Sequence, residues 1–175
     1  MDRMFFNASL FNLDISNWNV SGVRSMTSMF TNAKSFNGNL STWNVSSVTK
    51  MYKMFSNAHS FNGDISRWNV SGVKSFDDMF FNAHSFNGNI SSWNVSQARS
   101  MKNMIANAKS FDIDISNWKI DNVYEMNGMF YRATSFQSKL CWDVSGKATF
   151  NMFDHSKGCI KPICCQGCDE KLLCD

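Results

Sequence analysis

Apolar residues recur along this chain in two rhythms that take turns. Over residues 40–48, Leu40, Trp43, Val45 and Val48 are apolar, and around Trp43-Asn44-Val45 the alternation has the period of a strand. The period then changes. Met51, Met54, Phe55 and Ala58 stand at i, i+3, i+4 and i+7, one face of a short helix. Phe61 follows, and then Asn62-Gly63, a turn signal found again at Asn37-Gly38 and Asn87-Gly88. Each unit is therefore predicted to run strand, bend, short helix, turn. The strands should centre on Trp18–Val20, Trp43–Val45, Trp68–Val70, Trp93–Val95 and Trp118–Ile120, with Trp and Val buried and Asn exposed.

The two rhythms repeat as a block. Met4-Phe5, Met29-Phe30, Met54-Phe55, Met79-Phe80, Met104-Ile105 and Met129-Phe130 are each 25 residues apart, and Met152-Phe153 follows after 23. Trp18, Trp43, Trp68, Trp93 and Trp118 form another column, with Trp142 one place early. Phe11 to Phe136 and Ala8 to Ala133 form two more. Such regularity is the mark of stacked units, each burying its apolar face against the next. The expected architecture is an α/β solenoid, leucine-rich-repeat-like, of about six strand-plus-short-helix units with parallel stacked strands over residues 1–153. A Cys-rich C-terminal cap would occupy residues 154–175.

Composition narrows the class. The 175 residues are 43% hydrophobic, with 16 Phe, 12 Met and one Pro, which excludes a disordered chain. No apolar run approaches the roughly 20 residues of a membrane helix. The net charge of +3 is too mild to imply a nucleic-acid partner.

The spacing Leu40-x-x-Trp43-x-Val45-x-x-Val48 resembles the strand segment of a leucine-rich repeat, with Val48 where that family usually places Asn. The fuller unit, which Val48 to Ser71 follows almost throughout, resembles the repeat of mycoplasma-type surface lipoproteins and BspA-like surface proteins. That resemblance covers about residues 1–153. It implies an exported, extracellular or cell-surface protein of a kind often linked to attachment, and it supplies no catalytic residue, cofactor or ligand.

The chain starts partway through a unit, since Met1 and Met4 fall in the columns of Met26 and Met29. A solenoid needs a polar cap on its first unit, and none is visible. The expectation is a truncated chain or a packing partner on the N-terminal repeat. At the other end the pattern stops, and Cys159, Cys164, Cys165, Cys168 and Cys174 join Cys141 of the last full unit. Six cysteines confined to one end suit three disulfides closing the stack, in any of 15 pairings. Cys165-x-x-Cys168 also has zinc-ligand spacing, but one such pair with His155 as the nearby His makes the disulfide cap the stronger reading, with no metal.

Function is expected to lie on the polar columns beside the core. Asn19, Asn44, Asn69 and Asn94 stand between the Trp and Val columns. Ser21, Ser46, Ser71 and Ser96 follow the Val, and Asn17, Thr42, Arg67 and Ser92 precede the Trp. Together they would make a polar strand face that binds another protein or a glycan. The competing reading is that Asn and Ser serve only their own backbone turns. The Trp column could stack sugars, but sharing its parity with the Val column makes it core. Lys34, His59, His84 and Lys109 form a basic column that a helix C-terminus would favour without any ligand. Seven Asn-x-Ser sequons arise from the repeat itself. Catalysis requires unlike residues to converge, which a repeat does not provide, so the chain is read as non-enzymatic. The alternative function is a structural or accessory subunit of a larger assembly. Ice binding ranks last, since Thr42 is the one Thr in these columns.

Overall fold

A computed structural model describes residues 1–161. Its repeating unit is neither strand nor helix. Among the described residues there is no helix, and the two strands are β1 (Lys139–Leu140) and β2 (Cys159–Ile160), paired parallel with Lys139 opposite Cys159. The α/β, leucine-rich-repeat-like solenoid of strand-plus-helix units is therefore overturned. In its place the chain forms successive coils of turns, joined by isolated parallel bridges such as Ser25 to Lys50, Ser75 to Ser100 and Ser100 to Glu125.

The reason the helix fails lies in two residues per unit. Lys53 and Asn57 have φ of 56° and 57°, far from the roughly −63° of an α-helix. The Met54 N–H donates to Met51 O at 3.1 Å, that of Ser56 to Lys53 O at 3.2 Å, and that of Ala58 to Phe55 O at 3.0 Å. These are three consecutive β-turns. Lys53 and Asn57 are the third residues of the first and last, where a type II turn requires positive φ. The intervening N–H groups point out of the coil. Lys53 donates to Asp77 O at 3.0 Å, Phe55 to Met79 O at 2.9 Å and Asn57 to Phe81 O at 2.7 Å. A helix would have kept every bond inside the segment. Here alternate bonds go to the next coil. Both geometries bury Met51, Met54, Phe55 and Ala58, so the apolar spacing does not distinguish them.

The expected strands fail for a related reason. Around Trp43–Val45 the N–H groups of Trp43 and Val48 close turns onto Leu40 O and Val45 O, at 3.1 and 2.9 Å. Those of Ser41 and Ser46 donate to the Oδ1 of Asn39 and Asn44, at 3.0 and 3.1 Å. Little is left to build a ladder. The inter-coil bonds fall elsewhere, as from Thr49 N to Arg24 O at 2.9 Å. The Asn-Gly pairs are not positive-φ turns either. A Cβ on Gly63 would come within 2.8 Å of Gly38 O, so close approach of neighbouring coils is what favours glycine there.

Burial follows the expected columns. Trp43, Trp68, Trp93, Trp118 and Val20, Val45, Val70, Val95 are buried, and Asn19, Asn44, Asn69, Asn94 are exposed. Two parallel files of Phe fill the interior. Phe30, Phe55 and Phe80 stack at 5.4 and 5.7 Å with planes 2° and 1° apart. Phe36, Phe61 and Phe86 stack at 5.9 and 6.0 Å, and within a coil Phe55 lies 3.9 Å from Phe61. Truncating Phe61 to Ala should therefore cost about 3–5 kcal/mol.

The tryptophans tie coils together by a polar bond as well. The indole N–H of Trp43, Trp68, Trp93 and Trp118 donates to the carbonyls of Ile15, Leu40, Ile65 and Ile90, at 3.0–3.1 Å. Each of those carbonyls also accepts the backbone turn bond of its own coil's Trp, as Ile65 does from Trp68. The column ends at Trp142, displaced by one residue, whose buried Nε1 has no partner among the described residues. It begins at Trp18, which is 40% exposed and departs from the expected burial.

Cys141 and Cys159 are each disulfide-bonded, the first exposed and the second buried. Cys164, Cys165, Cys168 and Cys174 lie outside the described residues, so the expected set of three bridges is not seen.

Two outcomes follow for stability. At Asn107, with φ 58°, Asn107→Gly should be nearly neutral, whereas the β-branched Asn107→Val should cost about 1–2 kcal/mol by urea unfolding. Trp93→Phe should cost about 1 kcal/mol more than Trp142→Phe, since only the first loses a made hydrogen bond.

Candidate recognition surface

The polar columns are built by local chemistry. An Asn or Asp side chain readily bonds the backbone N–H two residues on, making an Asx-turn. Asn19, Asn44, Asn69 and Asn94 do so with Ser21, Ser46, Ser71 and Ser96, at 3.1, 3.1, 3.2 and 3.1 Å. The Ser21, Ser46 and Ser71 hydroxyls donate to the same Oδ1 at 2.7 Å. Asp143 continues the column onto Ser145, and that N–H holds its carboxyl below the usual carboxylate range. The Asx-turn reading of these residues is thus part of the structure.

The turns fix the carboxamides without using them up. Oδ1 is engaged, while Nδ2 of Asn19, Asn44, Asn69 and Asn94 has no partner among the described residues. All four Asn side chains are exposed. The column before the Trp is more occupied. Thr42 Oγ1 donates to Ser16 O at 2.7 Å and Ser92 Oγ to Ser66 O at 3.1 Å, each reaching the preceding coil. Asn17 and Arg67 are exposed. The repeat therefore brings together all twelve residues expected on this face as three adjoining columns.

A second Asx column escaped the sequence reading. Asp14, Asn39, Asp64, Asn89 and Asp114 cap Ser16, Ser41, Ser66, Ser91 and Ser116 at 2.9–3.0 Å. The shared Asx-x-Ser spacing, five residues upstream of the first column, was the available signal. The basic column also needs another account, because there is no helix terminus beside it. His59 and His84 stack at 4.7 Å with planes 11° apart. Burial and then Lys34 hold the His59 imidazole below its ordinary value, and burial, His59 and Lys109 do the same to His84.

A groove of about 460 Å³ lies elsewhere, lined by Thr27, Thr49, Lys50, Tyr52, Lys74 and Ser75 of three successive coils. Its residues fall in columns where the repeat varies, Thr27, Tyr52, Asp77, Lys102 and Asn127 being one. That variability marks positions free of core packing. Among the described residues no group of three or more His, Cys, Asp or Glu is placed to hold a metal ion. No helix there is long and apolar enough to cross a membrane.

The fold and surface define a class: a repetitive stack of turn-built coils displaying aligned polar side chains. The family described as Mycoplasma protein of unknown function, DUF285, matches residues 1–84 and 64–163, and the chain belongs to it. No curated protein matches the chain. No solved structure matches it either.

The histidine pair sets a pH dependence. Its folded-state pKa values lie below those of the unfolded chain, where His titrates near about 6.5. Above that pH both states are neutral. As pH falls through it, the unfolded chain takes up protons first and stability declines. The urea midpoint should drop between about pH 7 and pH 5.5, and the double variant His59→Asn, His84→Asn should show a shallower drop.

Proposed function

We propose that the chain is a non-enzymatic recognition or adhesion module, at the cell surface or outside the cell, that binds a protein or glycan through the Asn and Ser columns. One observation carries the reading. Asn19, Asn44, Asn69 and Asn94 recur once per coil, are exposed, and are each fixed by an Asx-turn through Oδ1, with Nδ2 unpartnered among the described residues. Hydrogen-bonded coils sit about 4.8 Å apart. A row of oriented donors at that pitch suits a polymeric glycan or an extended protein edge. Each contact would contribute about 1 kcal/mol net, so affinity would come from several in register. The likeness of the repeat to BspA-like attachment proteins points the same way.

A second reading rests on a different observation. Leu10 and Leu13 are exposed, at 88% and 71%, in columns that later coils fill with Ser35 and Gly38. A partner packed on these side chains would make the chain a structural or accessory subunit of a larger assembly.

The first reading is tested by retention of the protein on immobilised surface proteins and polysaccharides from the native source. Asn44→Asp with Asn69→Asp should leave the fold intact, since Asp64 and Asp143 make the same Asx-turn. Retention should fall several-fold, because each carboxylate removes a pair of donors. Undiminished retention by the folded double variant would reject the Asn face as the binding surface.

A further inference from the structure

The groove at Thr27, Thr49, Lys50, Tyr52, Lys74 and Ser75 is separate from the Asn and Ser columns and has chemistry of its own. Tyr52 is 38% exposed. Its ring is held by the Lys53 ammonium 5.0 Å from the centroid, and Lys53 is in turn 3.9 Å from the Asp78 carboxylate. An aromatic platform is therefore fixed at the surface by a charge that is already compensated.

Lys50 and Lys74 are not compensated. Both are exposed, and among the described residues neither has a carboxylate within salt-bridge distance. Asp77, the nearest acid in sequence to Lys74, is engaged by the Ser100 hydroxyl and the Lys102 N–H. The hydroxyls on the groove are in part available. Ser75 Oγ accepts the Asp77 N–H at 3.2 Å, which leaves its own proton to donate. Thr49 Oγ1 donates to Arg24 O at 3.3 Å, which leaves its lone pairs to accept.

We propose that this groove binds an acidic sugar residue, its ring against Tyr52 and its carboxylate or sulfate between Lys50 and Lys74. A volume of about 460 Å³ lies within the range of small-ligand sites. A ring rich in hydroxyls and bearing one anion uses the platform, the hydroxyls and the cations together. An acidic peptide would use the cations alone. The backbone here is not an open edge for strand addition, because Met26 N–H already donates to Lys50 O at 3.0 Å and Thr49 N–H to Arg24 O. Nucleic acid would need a longer basic track, and Asp77 and Asp78 interrupt this one.

The test is calorimetric titration of the whole chain with four probes: a hyaluronan tetrasaccharide, a chondroitin sulfate tetrasaccharide, neutral cellotetraose and hexaglutamate. Saturable binding of at least one acidic tetrasaccharide is expected, at least tenfold tighter than cellotetraose. Comparing the two acidic probes separates a carboxylate-reading from a sulfate-reading groove. Lys50→Ala with Lys74→Ala, and separately Tyr52→Ala, should each weaken binding at least fivefold, while Tyr52→Phe should retain it. These side chains are surface-exposed, and unchanged urea midpoints would show the variants folded. Asn44→Asp with Asn69→Asp should leave this binding unaltered, so failure of the Asn face and failure of the groove are distinguishable. Absence of saturable binding by both acidic sugars would overturn the proposal. So would hexaglutamate binding as tightly with no dependence on Tyr52, which would make the groove a site for acidic peptide.

Discussion

The whole molecule depends on a backbone that sends alternate N–H groups in different directions. In the segment from Met51 to Ala58, one amide closes a turn within the coil and the next bonds the following coil. This needs two residues per unit in the left-handed region, where most side chains are strained by about 1–2 kcal/mol. Asn fills the second position at Asn7, Asn32, Asn57, Asn82 and Asn107, and its short polar side chain makes the conformation cheaper. Asn32 and Asn82 use that side chain again, donating from Nδ2 to Oδ1 of Asn7 and Asn57 at 2.6 and 2.7 Å. The first position is less consistent, holding Arg3, Ser28, Lys53, Asp78, Asn103 and Gly128. There the strain is borne by the fit of the surrounding coil.

Once the backbone direction is set, packing follows with little further choice. Inter-coil amide bonds place equivalent residues one above another, so every buried column becomes a file of like side chains. Stacked Phe and Trp rings suit such a file because planar groups tile at similar separation, 5.2–6.0 Å between consecutive rings of the two Phe files. The indole bonds add a directional constraint that a purely aliphatic core would lack. Register and core thus reinforce each other. At the displaced Trp142, one residue out of step at the end of the column, the indole N–H has no acceptor among the described residues.

The repeat, its period and its core columns were legible because they are written directly in residue spacing. The secondary structure was not. A face at i, i+3, i+4 and i+7 belongs to a helix, and it also belongs to consecutive turns that bury the same four side chains. The deciding signal was Asn57 and its equivalents at a position where a helix gains nothing from Asn. Alternation at Trp43-Asn44-Val45 misled in a similar way. The Asn and Ser that flank the Val divert N–H groups into Asx-turns, so the segment has a strand's parity without its ladder. The Asn face itself was readable because exposure follows parity. The groove was not, since Lys50, Tyr52 and Lys74 are far from any motif and meet only when coils stack.

That contrast bears on where specificity can reside in a chain of this kind. The columns that carry the Asx-turns change little over four coils, so the Asn and Ser files offer the same chemistry from Asn19–Ser21 to Asn94–Ser96, before Lys119 and Asp121 break the run. They suit a ligand that is itself repetitive. Columns such as Thr27, Tyr52, Asp77, Lys102 and Asn127 lie outside the core, and each coil sets its own residue there, even where Asp77 and Asn127 accept a backbone N–H of the next coil. They suit a ligand with one distinctive feature, such as a single charge or ring. The stack therefore combines two kinds of surface on one scaffold. One is fixed by the physics of the turns, and the other is free to differ from coil to coil.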